Sequence, residues 1–180
     1  MIRVDDEISL HPVTLSDADA MYALVDANRE HLGRWLPWVE SLRSVGDERR
    51  WLRQRAGMDA SSDEEAWLIR YNGETVGAIG LIYDAPNNGA EVGYWLTEAA
   101  QGHGIVTRSC STLLGYAFMV RSVHRLQLRA ASENVRSVAV AERLGFTFEG
   151  VQREALSTAK GYQDAKVYSM LVSEWEQRTD

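Results

Sequence analysis

The sequence predicts an α+β domain with a mixed, mostly antiparallel central sheet and helices on its faces. Two observations carry this reading. Segments of strand-like alternation, bounded by turn residues, interleave along the chain with segments of helical period. In the middle of the chain, successive strand segments are joined by turns too tight for a crossover, so they can only lie antiparallel. The length of 180 residues, with no repeat, low-complexity run or linker, fits one domain over 1–180 with a real core.

The elements follow in order. Ile8 to Val13 alternates as a first strand, ended by Pro12 and Thr14. Ser16-Asp17-Ala18-Asp19 starts a helix, because Ser16 or Asp17 can cap exposed N–H groups, and Met21, Leu24 and Val25 then fall at helical spacing. A second helix is expected from about Asp47 to Met58, with Trp51 and Leu52 inward. Ala66 to Tyr71 and Thr75 to Tyr83 are strands joined by Asn72-Gly73, residues that accept the positive φ of a two-residue hairpin. Asn87-Asn88-Gly89 turns the chain again into Glu91 to Leu96. Gly104 to about Val120 is helical, with Leu113, Leu114, Ala117 and Phe118 on one side. A strand from Arg125 to Ala130 and a helix from Asn134 to Leu144, ended by Gly145, come next. Phe146 to Gly150 and Val167 to Val172 are the last strands.

Bulk properties narrow the function. The net charge of −7 and the lack of a basic aromatic stripe disfavour nucleic acid, whose phosphates the average field repels, and mildly favour a cationic substrate. No run is apolar for long enough to span a bilayer, and Met1 to Glu7 lacks the basic start and apolar run of a signal peptide. The single cysteine, Cys110, has no Cys or His cluster around it; it reads as a buried helix residue, and no metal site is expected. Together these features lead us to expect a cytoplasmic protein.

Chemistry concentrates between Glu91 and Arg108. A strand ending Val92-Gly93-Tyr94-Trp95-Leu96 runs into Gln101-Gly102-His103-Gly104-Ile105-Val106-Thr107, which opens a helix. Glycines at a helix start let the backbone come close to a ligand, and the first-turn N–H groups carry the positive end of the helix dipole. That combination suits a pyrophosphate, although Gly-x-Gly alone also fits a plain tight turn. No Gly-Lys-Ser/Thr follows, and no third glycine stands at dinucleotide spacing, so neither an NTP loop nor a dinucleotide fold is indicated. Downstream, Glu133-Asn134-Val135-Arg136-Ser137 opens the next helix; Asn134 is a natural N-cap, and its amide can also serve an amide-rich ligand such as pantetheine.

With Leu144-Gly145-Phe146, Trp35-Leu36-Pro37-Trp38 and Gly161-Tyr162-x-Asp164-x-x-x-Tyr168, these segments resemble the GCN5-related N-acetyltransferase superfamily over nearly the whole chain. More narrowly, they resemble its ribosomal-protein N-terminal acetyltransferase (RimJ/RimL) branch. The resemblance implies acetyl-CoA held between two parallel strands that splay apart. It places pantetheine on the backbone of Trp95, Leu96 and Thr97, and pyrophosphate on Gln101, Gly102, His103, Gly104, Ile105, Val106 and Thr107. It also places the pantetheine arm on Asn134 and the thioester near Ser137. A homodimer is common in that branch.

The chain departs from the superfamily pattern at Val106, where the loop usually ends in Gly or Ala, and at Ala141, where a catalytic tyrosine usually stands. Ser137 matches the serine that serves in this branch instead. Leu156 occupies a position where the branch often has glutamate. The general base is therefore open among Glu91, Glu154, Glu133 and His103. Glu91 shares strand parity with Gly93 and Trp95, and Glu154 is expected on a late loop near the substrate. Ser137 would protonate the leaving thiolate or only hydrogen-bond it. A backbone N–H near Leu96 would polarise the carbonyl. Trp35, Leu36 and Trp38, in an expected loop, form either core or a wall for a peptide N-terminus. Tyr162, Asp164 and Tyr168 are expected to line the same pocket, with Asp164 either pairing with the substrate ammonium or capping a turn. The reaction implied is acetyl transfer to a primary amine, a protein N-terminus or a small molecule. A succinyl donor and a CoA-binding module without turnover are the alternatives.

Overall fold

The structure, a computed structural model, describes residues 1–53 and 63–179. The first strands are β1 (Ile2–Arg3) and β2 (Ile8–Pro12). Four helices follow: α1 (Ala18–Ala27), α2 (Arg29–Gly33), α3 (Trp38–Ser41) and α4 (Val45–Arg53). Then come the meander β3 (Glu64–Tyr71), β4 (Glu74–Asp84) and β5 (Gly89–Leu96), α5 (Ile105–Gly115), β6 (Arg125–Ala131) and α6 (Val135–Arg143). The chain closes with β7 (Thr147–Thr158), β8 (Gly161–Leu171) and α7 (Val172–Thr179). The strands form one eight-stranded sheet in the order β1-β2-β3-β4-β5-β6-β8-β7. Every neighbouring pair is antiparallel except β5 and β6.

Strand parity sorts the core. Ile69, Ile79, Val92, Leu126, Leu128 and Met170 turn to one face, where they bury Ile105, Leu113 and Leu114 of α5 with Val138 and Ala141 of α6. Trp175 of α7 packs against the same cluster. On the opposite face, Leu68 packs with Val13, Ala18, Met21 and Leu52, under α1 and α4. Trp95 joins this group and also the cluster of Val25, Leu32, Val39 and Leu42 from the α1–α3 region. Helices thus cover both faces, as the alternating pattern predicts.

The structure differs from the sequence expectation in several elements. The Trp35 to Trp38 segment is not simply a loop: α2 and α3 flank it, and Trp38 opens α3. The helix expected to run to Met58 begins at Val45 and is described to Arg53; its expected end lies outside the described residues. The helix expected to reach Val120 keeps α-geometry to Gly115 and ends in one π-turn over Tyr116–Val120. The last two strands are far longer than expected, and Val172 belongs to α7. The reason is physical. β7 is a sheet edge with exposed residues along most of both faces, so it lacks the alternation that marks a half-buried strand. No helix among the described residues is long and apolar enough to cross a membrane.

Candidate active site

β5 and β6 run parallel for only three paired positions, Gly89↔Arg125, Ala90↔Leu126 and Glu91↔Gln127. Beyond them both strands continue, β5 to Leu96 and β6 to Ala131, without further pairing. On its other side β5 stays paired to β4 as far as Gly77↔Leu96. The N–H of Thr97 donates to the carbonyl of Val76 (2.8 Å), which fixes the alternation of the ladder. Trp95 and Gly93 therefore spend their peptide groups on β4, whereas Val92, Tyr94 and Leu96 turn theirs into the gap beside β6. Of the three backbone positions expected to meet pantetheine, Leu96 alone presents an N–H there. A Cβ at Gly77 would stand 2.2 Å from the Trp95 carbonyl oxygen, so only glycine lets β4 lie this close along β5.

At the open end of the gap lies the glycine loop. Gly102 (φ 86°) and Gly104 (φ 68°) both adopt left-handed backbone, and Gly104 is the N-cap of α5 with no side-chain cap. Arg108 is the first residue whose N–H finds an intrahelical acceptor, the Gly104 carbonyl at 3.0 Å. The N–H groups of Ile105, Val106 and Thr107 thus have no helical partner. A Cβ at Gly102 would meet nothing within 4 Å. The loop is braced from outside: Arg108 donates to Asp5 (2.7 Å), Glu7 (2.9 Å) and the His103 carbonyl (3.1 Å). Gln101 reaches the His31 ring of α2 (2.8 Å), and the Glu98 N–H donates to Asn28 (3.2 Å), so the helices of the opposite face are tied to this loop at two points. The His103 imidazole sits near the Ala100 carbonyl (3.4 Å) and the Tyr71 ring, within the loop rather than over the gap.

The third wall is α6. Asn134 Oδ1 accepts the Ser137 N–H (3.2 Å), so the capping reading of Asn134 holds. Ser137 is half-buried, and its Oγ shares a hydrogen bond with the Tyr94 hydroxyl at 2.8 Å. Burial holds the Tyr94 phenol protonated, pushed well above its usual range; the buried Cys110 adds to this and the Ser137 contact opposes it. Cys110 is itself fully inside, its thiol pushed up by burial. Tyr94 was missed by sequence reasoning, although its parity, opposite to Glu91, sends it toward the side on which α5 and α6 pack.

The face of β5 carrying Glu91, Gly93 and Trp95 forms the other side of the site. Arg129 Nε donates to Glu91 Oε2 at 3.0 Å, an ion pair standing where the strands part. This pairing was not legible in the sequence, because nothing local links β5 to β6. Gly93 is exposed, and a Cβ there would meet nothing within 4 Å. Trp38, 39% exposed, leans on Trp95 with ring centroids 6.4 Å apart, while Leu36 packs into the α1–α3 cluster and Trp35 is half-buried. The late loop expected to carry Glu154 is instead a strand irregularity. Between Gln152↔Ala165 and Leu156↔Gln163 β7 bulges, Glu154 takes φ 52°, and its N–H donates to Asp164 Oδ1 (2.9 Å). Asp164 therefore braces the bulge, and Tyr162 stands exposed near the hairpin tip. Glu133 is paired with Lys160 (2.8 Å), which holds its carboxyl below the usual range.

The family model of the acetyltransferase (GNAT) domain matches residues 7–147, a span that holds the parting strands, the glycine loop and α6. The chain belongs to the GNAT acetyltransferase family. Among its GNAT relatives, YdaF of Bacillus subtilis (strain 168), provisionally named a ribosomal N-acetyltransferase, is 35% identical over 97% of this chain and 96% of its own. The GNAT structure of RimL, a ribosomal L7/L12 alpha-N-protein acetyltransferase in complex with coenzyme A, has a TM-score of 0.91 at 26% identity and covers 96% of this chain and 98% of that one. MccE, a microcin C7 self immunity acetyltransferase solved with acetyl-CoA and AMP, has a TM-score of 0.85 at 29% identity, covering 93% of this chain and 94% of that one.

Proposed function

We propose that this GNAT enzyme transfers an acetyl group from acetyl-CoA to the α-amine at a protein N-terminus, with a ribosomal protein as acceptor. The observation that carries the reading is the gap between β5 and β6, walled by the α5 N-terminus at one end and Ser137 of α6 at its side. The names of YdaF and RimL support the acceptor class. Acetyl-CoA supplies a thioester; transfer forms a C–N bond, breaks the C–S bond, and requires one proton to leave the amine and one to reach the thiolate. The N–H groups of Ile105 to Thr107 suit the pyrophosphate. The Leu96 N–H suits the carbonyl oxygen, where negative charge develops. Ser137 suits the departing sulfur. Glu91 lies on the acceptor face and is our candidate base, acting through water, with Glu154 as the second. Trp38 and Trp95 wall the acceptor side. The acetyl-CoA bound in the MccE structure supports acetyl as the donor group.

MccE is named for immunity to microcin C7 and not for a ribosomal protein, which favours one second reading, an acceptor outside the ribosome such as a small-molecule amine. Calorimetry with acetyl-CoA, succinyl-CoA and CoA names the donor. Thiol release with ribosomal N-terminal peptides against an amine panel names the acceptor. We expect acetyl-CoA and peptides to prevail; turnover with small amines alone would replace the protein reading, and no turnover with either would leave a CoA-binding module. Ser137→Ala should lower kcat about a hundredfold with acetyl-CoA affinity nearly kept, and an unchanged kcat would remove Ser137 from the chemistry.

A further inference from the structure

A serine hydroxyl is a weak partner for a leaving thiolate unless something aims and polarises it. Ser137 has such a neighbour. The Tyr94 hydroxyl lies 2.8 Å from Ser137 Oγ and 3.4 Å from the Ser137 carbonyl oxygen, and no other hydrogen bond of that hydroxyl is seen among the described residues. Each hydroxyl carries one proton. Were Ser137 to donate to Tyr94, the half-buried phenol would be left with the carbonyl at 3.4 Å, beyond the normal range for an O–H donor. Were Tyr94 to donate to Oγ, the phenol would keep a full hydrogen bond and the Ser137 proton would remain available to a ligand. The second arrangement is the better one, because the phenol is the stronger donor and the alkyl hydroxyl oxygen the better acceptor.

Both ends of the contact are held. Tyr94 is fixed by β5 and packs against the main core. Ser137 is fixed by the first turn of α6 and by the Asn134 cap on its N–H. The backbone of Tyr94 faces the gap between β5 and β6, while its side chain crosses to α6.

We infer that Tyr94 is a positioning residue for Ser137: its phenol donates to Oγ, fixes the serine rotamer, and leaves the serine proton aimed at the sulfur of the leaving group. This rests on the reading that Ser137 serves that sulfur. A phenol is a stronger donor than an alkyl hydroxyl, and an oxygen that accepts a hydrogen bond donates its own more strongly. No proton leaves Tyr94; its burial keeps it protonated throughout. The tyrosine acts through the serine and is not placed on the substrate. It also gives a physical role to the Gly93-Tyr94-Trp95 run beyond its backbone.

The test is a cycle of Tyr94→Phe, Ser137→Ala and the double variant, with two readouts. One is kcat. The other is the ultraviolet titration of the thiol of free CoA bound to each protein, which reports how well the bound thiolate is stabilised without any turnover. Tyr94→Phe should lower kcat about tenfold, the worth of one neutral hydrogen bond, with the KM for acetyl-CoA unchanged. It should also raise the pKa of the bound thiol. The double variant should match Ser137→Ala in both readouts. If Tyr94→Phe leaves kcat and the thiol titration at wild-type values while Ser137→Ala changes them, Tyr94 has no such role and the Ser137 reading stands. Equal losses from Tyr94→Phe with and without Ser137 would likewise make its role one of packing. If Ser137→Ala changes neither readout, both readings fall.

Discussion

Gly93 leaves the proposed acceptor face open by having no side chain. It lies between Glu91 and Trp95 on one face of β5, directly across from Gly80 of β4, so the depression spans two strands. Its φ lies outside the left-handed region and a Cβ would meet nothing within 4 Å, so a larger residue fits the fold. Gly93→Leu should therefore fold with unchanged acetyl-CoA affinity but raise the acceptor KM at least about tenfold, the scale of a few lost apolar contacts. Steady-state kinetics against the acceptor peptide checks this; an unchanged KM would move the acceptor off this face. The neighbouring residues divide by how far their partners lie. The parity of Glu91 with Trp95 was readable from spacing. The Arg129 guanidinium that pairs with it was not.

At the scale of elements, α5 is the one whose end we propose as the pyrophosphate site. Gly104 caps it in the left-handed region, where aspartate is among the better-tolerated side chains, and a Cβ would meet only the Arg108 side chain at 4.0 Å. Gly104→Asp should keep the fold at a cost of about 1 kcal/mol while setting a carboxylate at the proposed anion site. Acetyl-CoA binding by calorimetry should then be lost while circular dichroism stays native; binding at wild-type affinity would remove the loop from the cofactor site. The loop was legible because glycine φ and helix-end N–H groups are local properties. α6 was legible for the same reason, through its Asn134 cap. β7 was not, since an edge strand with little buried surface leaves no alternation to read, and its bulge at Glu154 depends on Asp164 of the partner strand.

Across the whole molecule, a net charge of −7 means that acid titration first relieves repulsion and then breaks specific pairs. One such pair ties three strands. Arg125 of β6 reaches over β8 to Glu149 of β7 (2.8 and 2.6 Å), and Ser169 of β8 donates to the same carboxylate (2.8 Å). Arg125 and then Ser169 hold the Glu149 carboxyl below its ordinary value of 4.5. A folded-state value below the unfolded one adds stability that is complete above the unfolded pKa and disappears as pH falls through the folded one. Glu149→Gln should thus be less stable than the natural chain at neutral pH, with the gap closing below pH 4.5. Urea melts across that range check it; a gap that persists at low pH would mean that packing, not charge, is responsible.

The sequence by itself determined the parts that depend on a few neighbouring residues. These are the Asn72-Gly73 hairpin, the glycine-capped start of α5, the Asn134 cap and the sides on which the helices bury. The family resemblance added the splay and the serine. Only the tertiary structure decided where β5 and β6 part, and which residues meet there. Tyr94 and Ser137 are 43 positions apart and Glu91 and Arg129 38 apart. No local preference brings such pairs together. Burial of the shared core sets β5 beside β6 and α6 across from β5, and the polar contacts at the gap follow from that packing.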